Sequence, residues 1–133
     1  MSTHLRVVVG TEQYAIPIDH VREVNLLPAV TRVPGAGSHV LGVQSRRGEL
    51  LPVLDLGGLL GIPEGVATRG IIVEEATRRA ILPVDAAEGV EDLSESAVTK
   101  TNAPLVSGSV MALERLIGVL DVAAILDRAA GGP

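Results

Sequence analysis

Two aspartates occupy similar places in the chain, because Asp55 and Asp121 each follow an aliphatic run that ends in Val-Leu. Paired carboxylates that face each other can share a proton, and aspartic proteases use such a pair as general acid and base. That chemistry needs Asp-Thr/Ser-Gly, whereas Leu56-Gly57 and Val122-Ala123 follow here. Asp is also a preferred N-cap of a helix. The sequence therefore favours two helix caps and leaves a duplicated aspartic hydrolase as an alternative.

Other side chains that could carry chemistry do not form a recognisable site. The chain has no cysteine, and His4, His20 and His39 lack the spacing of zinc ligands. The glycines that follow Asp55 do not match a phosphate-binding loop, and the one lysine, Lys100, is not part of a nucleotide motif. We therefore expect no catalytic residue, no metal and no cofactor, in a protein that is not an enzyme.

The composition favours a β protein and excludes several classes of partner. The 133 residues are 47% hydrophobic, and Tyr14 is the only aromatic residue. Branched aliphatic residues favour strands, and the shortage of rings argues against surfaces that stack on nucleic-acid bases. A net charge of −5 also disfavours nucleic acid. The sequence has no signal-peptide core and no apolar run long enough to cross a membrane, so we expect a cytoplasmic protein without membrane insertion.

The chain repeats itself at an offset of 66 residues. Without a gap, 14 of 67 aligned positions are identical, and many others exchange one aliphatic residue for another. Repeats of this kind indicate stacked or paired units of one architecture. The offset predicts a single domain over residues 1–133 with repeat halves at about 5–62 and 70–128, and a frayed tail at 130–133.

Each half is predicted to be mostly strand with a short helix at its end. Apolar runs between turn residues predict strands in the first half at 5–9, 14–18, 21–26, 30–33, 41–46 and 50–54. The last two form a hairpin across Arg47-Gly48, because glycine accepts a positive φ. Asp19 and Asp85 are predicted turn residues. Short helices follow the two caps, through Leu60 and over Val122–Ala129. We expect each half to form a five-stranded barrel that packs against the other.

Five strings of residues, in this order, resemble the CheW family of chemotaxis coupling proteins: Glu12–Ile18, Val21–Val24, Thr31–Pro34, Gly42–Gly48 and Glu49–Leu56. The likeness runs from about Leu5 to Leu126. It implies an all-β fold with short helices, in which two pseudo-symmetric five-stranded SH3-like β-barrels pack around a shared hydrophobic interface. It also implies a non-enzymatic adaptor that joins the cytoplasmic tips of methyl-accepting chemoreceptors to the regulatory domain of a CheA-type histidine kinase.

The resemblance assigns four receptor- and kinase-binding residues, which are Val21, Glu23, Gly42 and Arg47. It implies that Glu23 and Arg47 face each other, and that an apolar groove between the barrels receives the receptor's helical hairpin. Ser45-Arg46 departs from the Asn-Leu that commonly precedes Arg-Gly in the family. This departure leaves open an adaptor of a different kinase pathway, for pili or another output. A small-ligand sensor with a pocket between the halves is a further alternative.

Overall fold

The computed structural model describes residues 2–27, 30–31, 37–62, 65–94, 98–101, 103–112 and 114–130. These residues form strands β1 (Ser2–Val9), β2 (Glu12–Pro17), β3 (Val21–Leu26), β4 (Val40–Arg46), β5 (Glu49–Leu54), β6 (Arg69–Glu75), β7 (Arg78–Val84), β8 (Ala86–Leu93), β9 (Thr99–Lys100), β10 (Val106–Ala112) and β11 (Arg115–Leu120). Helix α1 (Leu56–Leu60) follows β5, helix α2 (Val122–Ala130) follows β11, and a 3-10 turn (Ile18–His20) follows β2. Within these ranges no helix is long and apolar enough to cross a membrane.

The strands form two sheets. Sheet A has six strands in the order β8-β1-β2-β11-β10-β9, and sheet B has five in the order β3-β6-β7-β5-β4. The all-β class with short helices and two pseudo-symmetric sheets is confirmed, but the two sheets are not equal in strand number. The sixth strand of sheet A is β9, and in sheet B Thr31 bridges Val43 of β4 at the corresponding edge. Residues 32 and 33 of the predicted strand 30–33 lie outside the described residues.

The prediction that each half forms its own barrel is wrong, because the halves exchange their first hairpins. The hairpin β1–β2 lies in sheet A beside strands of the second half, and β6–β7 lies in sheet B beside strands of the first. Parallel pairs join the exchanged hairpins to their hosts, β2 to β11 and β7 to β5. When the residue numbers of each strand are shifted by 66, the strand order of one sheet becomes that of the other. Thr31 then lies near the position that β9 has in sheet A.

The core has three parts, because each sheet buries both of its faces. A large apolar cluster lies between the sheets and includes Val7 and Ile16 of sheet A with Leu54 and Ile71 of sheet B. A smaller cluster belongs to each sheet alone; that of sheet B includes Ile72, the neighbour of Ile71. Successive strand residues point to opposite faces, so one strand serves the shared cluster and its own sheet's cluster. The shared hydrophobic interface that was predicted is present.

Both predicted helix caps are present. Asp55 Oδ1 accepts a hydrogen bond from the Gly58 backbone N–H at 3.1 Å, and Asp121 Oδ1 accepts one from Ala124 N–H at 3.0 Å. Helix α1 ends at Gly61, whose φ of 71° is left-handed. Helix α2 includes Ala130, the first residue of the predicted frayed tail 130–133, so the prediction is wrong at that residue. Residues 131–133 lie outside the described residues. The two carboxylates that suggested an acid–base pair each close the first turn of a helix.

Candidate functional site

A charged cavity opens at the end of sheet B near the β4–β5 turn. Its volume is about 620 Å³, and its lining residues are Arg22, Glu23, Arg46, Arg47, Glu49, Leu51, Ile72 and Arg79. We call it the arginine cleft. Two of the four predicted binding residues, Glu23 and Arg47, line it. Val21 packs against the shared core, and Gly42 lies buried in β4, so the structure does not bring these two into the cleft.

The Glu23 carboxylate is held mainly by Arg46. Arg46 Nη2 lies 2.7 Å from Glu23 Oε1, whereas Arg47 Nη2 lies 3.6 Å away and Asn25 Nδ2 lies 3.4 Å away. The Arg46 side chain is 27% exposed and that of Arg47 is 78% exposed. Hydrogen bonds from Arg46 and then Asn25 lower the pKa of Glu23. The expected pairing of Glu23 with Arg47 is therefore the weaker of two contacts, and the departure at Arg46 supplies the stronger one.

A second ion-pair network forms another wall of the cleft. Glu74 Oε2 accepts a hydrogen bond from Arg79 Nε at 2.9 Å, and Glu74 Oε1 accepts one from Arg22. Arg79 also pairs with Glu49 at 3.2 Å. The hydrogen bond from Arg79, followed by that from Arg22, lowers the pKa of Glu74. Four arginines and three glutamates give this region a net charge of +1 in a chain of net charge −5.

Two-residue turns position these networks. The β4–β5 turn consists of Arg47 and Gly48, with φ values of 51° and 81°, as a type I′ hairpin requires. The turn sets Arg46 opposite Glu49 in register. The β6–β7 turn likewise sets Glu74 directly opposite Arg79. The sequence did not predict five further parts of the site, which are Arg22, Arg46, Glu49, Glu74 and Arg79. A local signal existed only for the pairing of Arg46 with Glu49 and of Glu74 with Arg79 across their turns, because charges placed symmetrically about a short turn become cross-strand neighbours.

Gly42 has a packing role that its sequence position alone did not reveal. A Cβ on Gly42 would overlap the Thr31 carbonyl oxygen and approach Val30 Cγ1 to 2.7 Å. Here Thr31 exchanges both backbone hydrogen bonds with Val43, at 2.9 and 3.1 Å, beside a bulge in β4. Gly108 has the corresponding place in sheet A, where a Cβ would lie 2.9 Å from the Thr99 carbonyl oxygen. Both glycines allow an edge segment to approach its neighbouring strand.

An apolar groove lies between sheet B and helix α2. It has a volume of about 370 Å³ and is lined by Val40, Pro52, Leu54, Arg78, Arg79, Ala80, Leu126, Ala129 and Ala130. We call it the sheet-B groove. Arg79 lines both this groove and the arginine cleft. The apolar residues of the two openings belong to opposite faces of sheet B, since Leu51 and Ile72 of the cleft pack in that sheet's own cluster and Leu54 of the groove packs in the shared cluster. The groove joins strands of sheet B to the helix that ends the second half.

Exposed apolar side chains occupy equivalent positions in the two sheets. Leu50 and Leu116, which are 66 residues apart, are 68% and 63% exposed. Val24 and Val90, also 66 apart, are exposed on the edge strands β3 and β8. Large apolar side chains left in water at related places are candidates for protein contacts. Among the described residues, no group of three or more His, Cys, Asp or Glu side chains could hold a metal ion.

Comparison with known proteins places the chain in a family. Residues 3–130 match the family described as the CheW-like domain. The chain is 29% identical to the chemotaxis protein CheW of Bacillus subtilis (strain 168), over 91% of this chain and 84% of that protein. It is 33% identical to the protein PilI of Pseudomonas aeruginosa, over 73% of this chain and 56% of PilI. The chain belongs to the CheW-like family of adaptor and scaffold proteins.

A solved structure supports the same assignment. The crystal structure of the scaffolding protein TtCheW from Thermoanaerobacter tengcongensis matches with a TM-score of 0.84 at 25% sequence identity. The match covers 91% of this chain and 84% of that one. The match covers most of the chain, so the fold described above is one that this scaffolding protein also has.

Proposed function

We propose that the protein is a non-enzymatic adaptor that couples chemoreceptor tips to a CheA-type histidine kinase in the cytoplasm. Family membership supports the adaptor role. The observation that carries the proposal is the pair of openings that share Arg79, the arginine cleft with exposed Arg47 and the apolar sheet-B groove. Together they offer a charged contact and an apolar one, which suits recognition rather than chemistry.

The receptor's helical hairpin is assigned to the sheet-B groove and the arginine cleft. An amphipathic helix binds by laying its apolar face into a groove, and charges at the groove's edge set its register. Glu23 and Arg47 are the proposed charged contacts on this side. Val21 and Gly42 act on the same surface through the backbone of β3 and β4, since neither lines the cleft.

The kinase's regulatory domain is assigned to the exposed apolar positions Leu50, Leu116, Val24 and Val90. Contacts of this transient kind often bury less than about 1,200 Å², so a dissociation constant near 1 μM is expected. Membership of an array at the inner face of the membrane would follow from these contacts. The protein itself would need no lipid contact, since both partners could hold it there.

Titration calorimetry and a reconstituted kinase assay test this proposal together. The protein should bind the regulatory domain, and addition of receptor should raise kinase activity only when the protein is present. Leu50→Arg and Leu116→Arg should weaken kinase binding, whereas Thr11→Arg, in the exposed β1–β2 turn, should not. Absence of binding heat and of co-elution at high concentration would contradict the adaptor proposal.

The match to PilI favours one second candidate, an adaptor of a kinase pathway other than chemotaxis. The two candidates share the same surface and differ in the partners that fit it. The same calorimetry, run against kinases of both pathway types from the source organism, separates them. Binding only to the kinase of the other pathway would replace the first candidate with the second.

A further inference from the structure

The sheet-B groove has a counterpart in the other half of the molecule. At the offset of 66, the groove residues Val40, Pro52, Leu54, Ala80 and Leu126 correspond to Val106, Gly118, Leu120, Tyr14 and Leu60. Three of these five pairs are the same aliphatic residue in both halves. The exceptions are the exchange of Ala80 for Tyr14 and that of Pro52 for Gly118, and both change the volume that the groove leaves open.

The ring of Tyr14 fills the counterpart. Tyr14 Cδ1 and Cε1 would each lie 3.1 Å from a Cβ on Gly118, so the ring rests directly on this glycine. Val106 Cγ1 is at 3.4 Å from the same point. Tyr14, Val106 and Leu60 all pack against the shared core. Burial of the ring, together with the charge of Glu12, raises the pKa of the Tyr14 hydroxyl.

Among the described residues, no side chain of comparable size fills the groove in sheet B. Ala80 ends at its Cβ, and about 370 Å³ remains open between the sheet and α2. The rim also differs in charge, because Glu12 and Gln13 beside the tyrosine correspond to Arg78 and Arg79 beside the open groove. Arg78 pairs with Asp127, whose side chain is 70% exposed. A carboxylate of a binding partner could therefore replace Asp127 in this contact.

We propose that the sheet-B groove binds an aromatic side chain of the partner, near the place that Tyr14 occupies in the counterpart and displaced outward by the ring of Pro52. The chain itself shows that this frame of strands and helix receives a ring where Ala80 leaves the groove open. The arginines at the rim select a partner whose surface beside the ring is acidic. That this partner is the receptor hairpin rests on the proposed function, whereas the chemistry of the groove rests on the comparison with Tyr14.

Small aromatic probes test the groove without any partner. In an NMR titration of the full chain with p-cresol, saturable shifts should centre on the amides of Leu54 and Ala129. The anionic probe 3-(4-hydroxyphenyl)propionate should bind at least threefold more tightly than the cationic probe tyramine, because of Arg78 and Arg79. Shifts spread over the surface, or tighter binding of tyramine, would overturn the proposal.

Two variants fill the groove in different ways. Ala80→Tyr with Pro52→Gly reproduces the Tyr14 and Gly118 pair, and it should weaken p-cresol binding at least tenfold. Ala129→Leu fills the groove from α2 and costs little helix propensity, so it keeps the test available if the first variant does not fold. The matched control, Tyr14→Ala, should open a second p-cresol site above Gly118. Undiminished probe binding by a folded, filled variant would overturn the proposal.

The partner is tested separately, by receptor-dependent kinase activation. If the receptor supplies the ring, Ala129→Leu should weaken activation at least tenfold while kinase binding is unchanged. If p-cresol binds but Ala129→Leu still couples normally, the groove is not the receptor's docking site and this inference fails while the adaptor proposal stands. Sedimentation showing self-association that Ala129→Leu abolishes would instead identify a second copy of the chain as the occupant. Failure of the unmodified protein to couple would overturn the proposed function alone.

Discussion

The two ends of the molecule share one backbone frame but differ in chemistry. The arginine cleft has a counterpart in sheet A, a cavity of about 210 Å³ lined by Arg6, Gln13, Glu88, Ala112, Arg115 and Ile117. At the offset of 66 these correspond to Ile72, Arg79, Arg22, Arg46, Glu49 and Leu51 of the cleft. The counterpart is smaller, because Arg6 stands in place of Ile72 at its mouth and pairs with Glu91 at 2.7 Å.

The comparison separates residues that maintain the frame from residues that define the surface. The glycines beside the bulges, Gly42 and Gly108, and the caps, Asp55 and Asp121, are identical in the two halves because each meets a local geometric requirement. The charged residues of the arginine cleft and of its counterpart in sheet A meet no such requirement, and they differ between the halves. We therefore expect substitutions at frame positions to lower stability in both halves, and substitutions in the cleft to affect binding.

The largest expected loss of stability comes from the buried glycines. Gly42→Ala should lower the free energy of unfolding by about 3 kcal/mol, because the added methyl group overlaps a backbone oxygen that cannot move without breaking the Thr31 bridge. Gly108→Ala should cost about 1–2 kcal/mol, since its closest clash, at 2.5 Å, is with the Val98 side chain. Urea unfolding of both variants measures the difference. Equal stability of Gly42→Ala and the unmodified protein would assign Gly42 to binding alone.

Asp85 and its counterpart Asp19 should differ by a smaller amount. Asp85 accepts hydrogen bonds from Gly10 N–H at 2.9 Å and from Val66 N–H at 2.8 Å, and so ties the β1–β2 turn to the connection between the halves. Asp85→Ala should lower the free energy of unfolding by about 2 kcal/mol, because charge-assisted bonds to backbone are lost. Asp19 is exposed, so Asp19→Ala should stay within about 0.5 kcal/mol of the unmodified protein. Similar losses of unfolding free energy in Asp85→Ala and Asp19→Ala would show that both aspartates stabilise the fold to the same extent.

Arg47 should be replaceable with a gain in stability. Its φ of 51° is unfavourable for arginine, and Asn-Gly is the preferred pair for this turn. Arg47→Asn should raise the free energy of unfolding by about 0.5 kcal/mol and should weaken receptor coupling. Thermal unfolding together with the kinase assay measures both effects. A loss of stability in this variant would mean that the Arg47 side chain supports the fold.

The smallest effect expected is a pH dependence from the cleft. Arginine hydrogen bonds hold the pKa values of Glu23 and Glu74 below the ordinary 4.5. A lowered folded-state pKa stabilises the protein above the unfolded pKa, and this contribution is lost as the pH falls through the folded value. The free energy of unfolding should therefore decrease as the pH is lowered from about 4.5. At low salt, Arg46→Ala and Arg79→Ala should make this decrease smaller. Arg115→Ala, at the other mouth, is the control; a reduction as large there would assign the dependence to other groups.

Local signals predicted the elements of the fold well. Gly48 between two apolar runs predicted the β4–β5 hairpin, and Asp55 and Asp121 predicted the starts of both helices, because turns and caps depend on a few adjacent residues. The exchange of hairpins was not predicted, because nothing near Pro17 shows which sheet β3 will join. Strand β9 has two residues and forms on its neighbour β10, so its sequence carries little signal.

The site was predicted only in part for a related reason. Glu23 and Arg47 were assigned through resemblance, and both line the cleft. The closer contact, from Arg46, depends on the register of β4 against β5 and on the distance from β4 to β3. The second network needs Glu74 from the other half of the chain, and its place beside Arg22 follows from the exchanged hairpin. Contacts that depend on the arrangement of strands were beyond the reach of local patterns.

Receptor-dependent kinase activation by Arg47→Glu, measured beside Arg115→Glu, decides whether the two ends of the molecule differ in function. Both variants reverse one exposed arginine, one in the arginine cleft and one at its counterpart in sheet A. We expect Arg47→Glu to lower activation at least tenfold with an unchanged unfolding midpoint, and Arg115→Glu to couple like the unmodified protein. Normal coupling by Arg47→Glu, or an equal loss in both variants, would contradict the claim that the two ends have different functions.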